Sequence, residues 1–171
     1  MRRVVLVGFM AAGKTTIGAR LAARLGWEFL DMDRRIEQRL GLSVAEAFAR
    51  LGEPAFRAEE ESVARELLGS EALVVAAGGG AFAEERTRAL LRQDALCVWL
   101  RVPLAVVEAR IGAGSDRPLA ANRARIPALF ALRSTSYALA DAVVDVGAGA
   151  PDEEAQRVFE VVLACRSDRR R

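Results

Sequence analysis

Short apolar runs alternate along the chain with longer stretches whose apolar positions repeat at helical spacing. Residues 4–7, Val-Val-Leu-Val, are too short for a helix and predict a buried strand. Over 15–25, Ile17, Leu21 and Leu25 fall on one helical face. Phe29 and Leu30 predict a short strand ending at Asp31. Helical patterns follow over 33–40 and 43–51, and Ser43-Val44-Ala45-Glu46 has the form of a capping box at the second start. Residues 53–68 carry Phe56, Val63 and Leu67 on one side. A strand over 73–76 runs into Gly78-Gly79-Gly80. A helix over 84–91, a strand over 96–100 and a helix over 104–110, with Pro103 at its start, come next. Residues 112–123, rich in glycine, polar residues and arginine, break the pattern and predict a loop. A helix over 127–139, a strand over 142–146 and a last helix over 152–165 complete the chain. Five short buried strands alternating with helices predict an α/β fold, a five-stranded parallel sheet with helices on both faces. No repeat, low-complexity run or linker interrupts it. A single domain over 1–171 is expected, with functional segments at 8–15, about 33–60 and about 112–123. Trp27 and Trp99 are expected to pack in the core.

Composition narrows the chemistry. At 171 residues, 52% hydrophobic and 28% charged, the chain is long enough for one real core. The net charge of +2 is small and the basic residues are scattered among acidic ones, so no nucleic-acid partner is expected. Arg169, Arg170 and Arg171 are expected to form a solvated tail. The chain has no histidine, which removes histidine general bases and most zinc sites. Cys97 and Cys165 lie far apart in apolar surroundings and are expected to be buried free thiols. The apolar run at 4–7 is too short for a signal peptide or a membrane span. No membrane partner and a cytoplasmic location are therefore expected.

One lysine stands among 25 basic residues, and it lies in Gly8-Phe9-Met10-Ala11-Ala12-Gly13-Lys14-Thr15. This is the phosphate-binding pattern G-x-x-x-x-G-K-[ST], placed as its mechanism requires between a strand and a helix. A compact ammonium reaches between β- and γ-phosphates where a planar guanidinium fits poorly. Backbone N–H groups across Ala11, Ala12, Gly13, Lys14, Thr15 and Thr16 are expected to face the phosphates of ATP. The Thr15 hydroxyl is placed to ligate Mg²⁺, and Asp31 is the best candidate for its acidic partner. Asp31 is equally placed to cap the helix that follows it. A guanine-reading N-K-x-D motif is impossible, because the one lysine is already used. Alanine at position 11 predicts a loop that avoids positive φ there.

Four further segments extend the pattern. Asp31-Met32-Asp33 ends the second strand. Glu53-x-x-Phe56-Arg57-x-x-Glu60 follows Gly52. Gly78-Gly79-Gly80 ends the third strand. Arg117-Pro118-Leu119 precedes Arg133-x-x-x-Tyr137 and Ala140-Asp141. With the phosphate loop, this ordered set resembles the shikimate kinase family over nearly the whole chain. The resemblance implies a P-loop NTPase fold of the nucleoside-monophosphate-kinase type. It also implies transfer of the ATP γ-phosphoryl group to the 3-hydroxyl of shikimate by a monomer. By the same resemblance Asp33 binds the shikimate hydroxyls and positions or deprotonates the attacking one. Arg57 and Arg133 hold the carboxylate, Gly79 offers a backbone N–H, and Asp31 and Thr15 hold Mg²⁺. Arg117 descends with a lid onto the phosphates, and Arg110 stacks on adenine. The chain departs from the family at Ala120, where a second leucine is common, and before Tyr137, where proline is common. The chemistry of the residues agrees: a small anionic polyol needs guanidinium forks for its carboxylate and acceptors for its hydroxyls. Other readings are a kinase of a different small polyol or sugar acid, such as gluconate, or an ATP-binding module without catalysis. Glu60 is placed either to support Arg57 or to touch the substrate.

Overall fold

In a computed structural model that describes residues 2–112, 124–147 and 149–168, five strands pair in parallel. They are β1 (Arg3–Val7), β2 (Glu28–Asp31), β3 (Leu73–Ala76), β4 (Ala95–Arg101) and β5 (Ala142–Asp145), in the order β2-β3-β1-β4-β5. All five positions of β1 are buried, so both faces of the sheet are covered at its centre. That coverage is what its unbroken apolar run requires. The strand starts one residue before the apolar run, at Arg3. The buried Arg3 guanidinium donates to the Leu67 and Gln93 carbonyls.

Seven helices connect the strands among the described residues: α1 (Lys14–Leu25), α2 (Met32–Leu40), α3 (Val44–Glu66), α4 (Glu85–Arg92), α5 (Leu104–Gly112), α6 (Ile126–Tyr137) and α7 (Pro151–Asp168). The buried side of α1 is Ile17, Leu21 and Ala22, and this helix packs against α7 and β3. A second group joins α2 to α3 and α3 to α4. The capping box at Ser43 and Glu46 is present, with the side chain of each accepting from the backbone of the other. The two helical patterns read on either side of Gly52 correspond to α3, whose course is broken at Gly52 (φ 81°, ψ 165°). This conformation is open almost only to glycine. The break re-aims the segment that carries Arg57 and Glu60.

Two expectations about the core need refinement. Trp27 and Trp99 are only half-buried at its edge, because each keeps a face for an arginine: Arg166 lies 5.1 Å from the Trp27 ring and Arg101 lies 5.8 Å from that of Trp99. Cys97 is a buried free thiol as expected, but Cys165 is half-buried, near the open end of α7.

The register brings Leu6 of β1 and Asp31 of β2 each beside Ala76 of β3. Because the strands run parallel, the segments leaving β1, β2 and β3 emerge side by side at one edge. These are the phosphate-loop pattern, Asp31-Met32-Asp33 and the glycine run.

Candidate active site

The chain leaving β1 turns through residues 8–13 and enters α1 at Lys14. The Lys14 side chain is buried and curls back over the loop, where Nζ donates to the Gly8 and Phe9 carbonyls at 2.8 Å each. Thr15 Oγ1 donates to Asp31 Oδ2 at 2.5 Å. Asp31 also caps α2, its other oxygen accepting from the Arg34 N–H at 3.3 Å. Capping and contact with Thr15 are thus performed by one carboxylate. Ala11 overturns its expectation: its φ is 60°, in the left-handed region. Gly13 is left-handed too, and left-handed residues of this kind are what let loop N–H groups form an anion nest. Ala12 is fully buried and its N–H donates to the Phe9 carbonyl at 3.3 Å. A cavity of ≈ 150 Å³ lies over this loop, lined among others by Gly13, Lys14, Thr15, Thr16, Asp31 and Asp33.

A second cavity of ≈ 290 Å³ opens beside the first, between α2, α3, α6 and the glycine run. Its charged lining is Asp33, Glu53, Arg57, Glu60 and Arg133; its apolar wall includes Met10, Phe48, Phe56 and Leu129. Asp33 lines both cavities. Arg57 is gripped from two sides. Its Nη1 pairs with Glu60 Oε2 at 2.5 Å, and its Nε and Nη2 meet Glu53 Oε1 at 3.3 and 2.8 Å. Arg133 is buried, with its guanidinium carbon 5.8 Å from the Phe9 ring centre, and that ring packs edge-on to Phe130. A side chain of the phosphate loop therefore supports a side chain of the second cavity.

The glycine run needs its missing side chains. A Cβ on Gly78 would lie 2.7 Å from both Asp33 Oδ1 and Glu60 Oε1, and one on Gly80 would strike the Arg57 guanidinium. Gly79 is held from behind: the Tyr137 hydroxyl donates to its carbonyl. A Cβ added to Gly79 would lie 3.5 Å from both Arg133 Nη1 and the Met10 backbone nitrogen.

Burial and neighbouring charge set the protonation states. Burial pushes Glu60 up to about 7, aided by Asp33 and opposed by Arg57 and Arg133. Burial works to lower Arg57, but Glu60 and Glu53 outweigh it and raise the pKa. Arg133 is lowered by burial and by the nearby Arg57, against the pull of Tyr137. Burial also pushes Tyr137 up to about 12, so its phenol stays a donor.

The residues singled out in the sequence thus fall into three places. Lys14, Thr15, Thr16 and Asp31 surround the loop cavity, while Arg57, Gly79 and Arg133 surround the second. Arg110 lies on a third side: its Nη1 donates to the Ala11 carbonyl at 2.8 Å, and it lines a ≈ 270 Å³ cavity with Thr16 and Pro151. Arg117 and the 113–123 segment lie outside the described residues, as do Arg169, Arg170 and Arg171. Sequence reasoning left the role of Glu60 open and missed Phe9 and Tyr137 as supports. The i,i+3 spacing of Arg57 to Glu60 and the i,i+4 spacing of Arg133 to Tyr137 were the available signals.

Comparison with known proteins agrees with this geometry. The family model described as shikimate kinase matches residues 10–163. A shikimate kinase of Cereibacter sphaeroides is 41% identical over 170 residues, covering 98% of this chain and 85% of that protein. One of Moorella thermoacetica is 43% identical over 164 residues, covering 94% of each. Among solved structures, shikimate kinase from Acinetobacter baumannii in complex with shikimate superposes with a TM-score of 0.89 at 35% identity, covering 96% of this chain and 94% of that one. The shikimate kinase of Aquifex aeolicus superposes with a TM-score of 0.83 at 32% identity, covering 97% of each.

Proposed function

This chain belongs to the shikimate kinase family, and we propose that it transfers the γ-phosphoryl group of ATP to the 3-hydroxyl of shikimate. The observation that carries the reading is the position of Asp33 on the wall shared by the loop cavity and the acceptor cavity. A carboxylate there meets both a hydroxyl entering from one side and a phosphoryl group presented from the other.

The residues take their roles from where they lie. Lys14 leaves the Gly8 and Phe9 carbonyls for the β- and γ-phosphates, and the N–H groups of the loop cradle the same oxygens. Arg57 and Arg133 receive the shikimate carboxylate, a planar anion matched to guanidinium forks. Gly79 offers its N–H, and its carbonyl accepts from the Tyr137 hydroxyl. Asp33 orients the attacking hydroxyl and accepts its proton as the oxygen bonds to phosphorus and ADP leaves. Arg110 flanks the base, opposite Pro151. Arg117 is assigned to the phosphates on the family resemblance alone.

The donors fit Mg²⁺. Thr15 and Asp31 place two hard oxygens together, and no group of three or more acidic, cysteine or histidine side chains able to cage a metal exists among the described residues. An ion that keeps waters and takes phosphate oxygens suits that pair. When bound it neutralises charge on the β- and γ-phosphates; Asp31 holds the Thr15 hydroxyl in place for it.

No helix among the described residues is long and apolar enough to cross a membrane. We read the enzyme as a cytoplasmic monomer on the family resemblance, and without a nucleic-acid partner because its basic residues are scattered among acidic ones. The test is ADP release by the purified protein with Mg²⁺-ATP and either shikimate or gluconate. ADP formed with shikimate alone is expected. ADP formed with gluconate and not with shikimate overturns the acceptor assignment.

A further inference from the structure

The acceptor cavity is lined by three acidic and two basic side chains: Asp33, Glu53 and Glu60 against Arg57 and Arg133. With all of them ionised it is net negative. On the function proposed above, its ligand is itself an anion. Arg57, already engaged by Glu60 and Glu53, must then serve a further carboxylate together with Arg133.

Glu60 is where this conflict concentrates. It is 1% exposed, whereas Glu53 faces solvent. One of its oxygens holds Arg57. The other shares with Asp33 Oδ1 the space that a Gly78 side chain would fill, each oxygen 2.7 Å from that point. The charged and titratable groups around it are Arg57 and Glu53 on its own helix, Asp33 from α2, and Arg133 and Tyr137 from α6. The glycine run adds no charge, and Glu84 at the start of α4 lies 3.9 Å from Arg57.

We propose that Glu60 takes up a proton from solvent when a carboxylate-bearing acceptor enters the cavity, so that protonation of this residue is part of acceptor recognition. The incoming carboxylate draws on the same two arginines that keep Glu60 ionised and adds a negative charge nearby. Both effects favour the neutral carboxyl. In the free protein burial and Asp33 already push Glu60 up to about 7, so any further rise converts directly into uptake near neutral pH. A neutral Glu60 still meets Arg57 through a carbonyl oxygen, and with it the side chains lining the cavity carry no net charge around the bound anion.

The experiment is calorimetric titration of shikimate into the protein at pH 7, in two buffers of different ionisation enthalpy. The two heats are expected to differ by an amount that corresponds to roughly half a proton per acceptor bound. Acceptor affinity is expected to fall toward ~10-fold per pH unit above neutrality, the slope for one linked proton. Glu60→Gln is expected to bind shikimate with the same heat in both buffers and with a flatter pH dependence. A residue that merely holds Arg57 in place would change affinity without creating that buffer dependence. Binding with a buffer-independent heat in the unmodified protein overturns the proposal alone, and needs no variant to fold. Full buffer dependence persisting in Glu60→Gln also overturns it. No binding of shikimate in any buffer overturns the function reading and this inference with it.

Discussion

Gly80→Ala tests the acceptor cavity without deleting any group that acts in it. The backbone at Gly80 is not in the left-handed region, so alanine is tolerated there. The added methyl would strike Arg57 Nη1 most closely and lie 2.7 Å from Cζ and Nη2. Ordinary carbon contacts lie at ~3.5–4 Å, so the guanidinium must retreat by more than ~1 Å. Arg57 has little room to do so, with Glu60 on one edge at 2.5 Å and Glu53 on another at 2.8 Å. Displacement takes it out of line with the acceptor carboxylate. A hydrogen bond to a charged group contributes ~1.5–3 kcal/mol, which converts to ~10- to ~150-fold weaker shikimate binding. The loop cavity does not include Gly80, so ATP affinity should hold. Backbone stiffening by alanine contributes ~0.4–1 kcal/mol in favour of folding and offsets part of the cost of displacing Arg57 from Glu60. The assay is KM for each substrate in a coupled ADP assay, with calorimetric Kd for shikimate alongside. Shikimate affinity within about threefold of the unmodified protein would refute the reasoning. So would an equal loss for both substrates.

Lys14→Ala should lower kcat by ~10²–10³-fold or more, the range for removing a preorganised charge donor, while circular dichroism stays native. An unaffected rate would remove the phosphate loop from the mechanism. Ala11→Gly relieves a left-handed alanine that costs ~1–2 kcal/mol, against ~0.4–1 kcal/mol of added chain freedom. A net gain of ~0–1.6 kcal/mol should raise the calorimetric melting midpoint by up to ~3–6 °C; a lower midpoint would mean that the methyl contributes more than the strain removes. Between pH 4.5 and about 7 folded Glu60 holds a proton that the unfolded chain releases. Its contribution to stability is therefore full below pH 4.5 and is lost as pH rises through 7, by ~3 kcal/mol at most. Urea unfolding at pH 5 and 8 should show a larger drop for the unmodified protein than for Glu60→Gln, and equal drops would refute the raised pKa.

The parts of the site legible in the sequence are those whose spacing is dictated within one element. Gly8 to Thr15 must bend a backbone around phosphate, and Glu53, Arg57 and Glu60 sit one helical turn apart. The break between two helical patterns at Gly52 was legible for the same reason. What crosses between elements was not. The pairing of β3 between β1 and β2 brings Glu60 against Asp33 at Gly78, and no local pattern records it. Phe9 stands in the phosphate loop as a free position of its motif, yet its ring carries Arg133. At Ala11 a local rule failed outright: an alanine holds the left-handed conformation that its own steric preference disfavours. Trp27 and Trp99 pack against the core as read, but hydrophobicity does not say which arginine will lie over the remaining face.

The solitary Lys14 also makes the molecule its own reporter of opening. A protease that cuts only after lysine finds one bond in this sequence, Lys14–Thr15. That bond lies in the first turn of α1, beside a side chain tied to two loop carbonyls. It is cut only when this region opens, so the appearance of two fragments follows the population of the opened chain. A nucleotide that seats on the loop lowers that population by 1 + [L]/Kd. Fragment yield against nucleotide concentration therefore reads occupancy of the phosphate site with no label and no turnover.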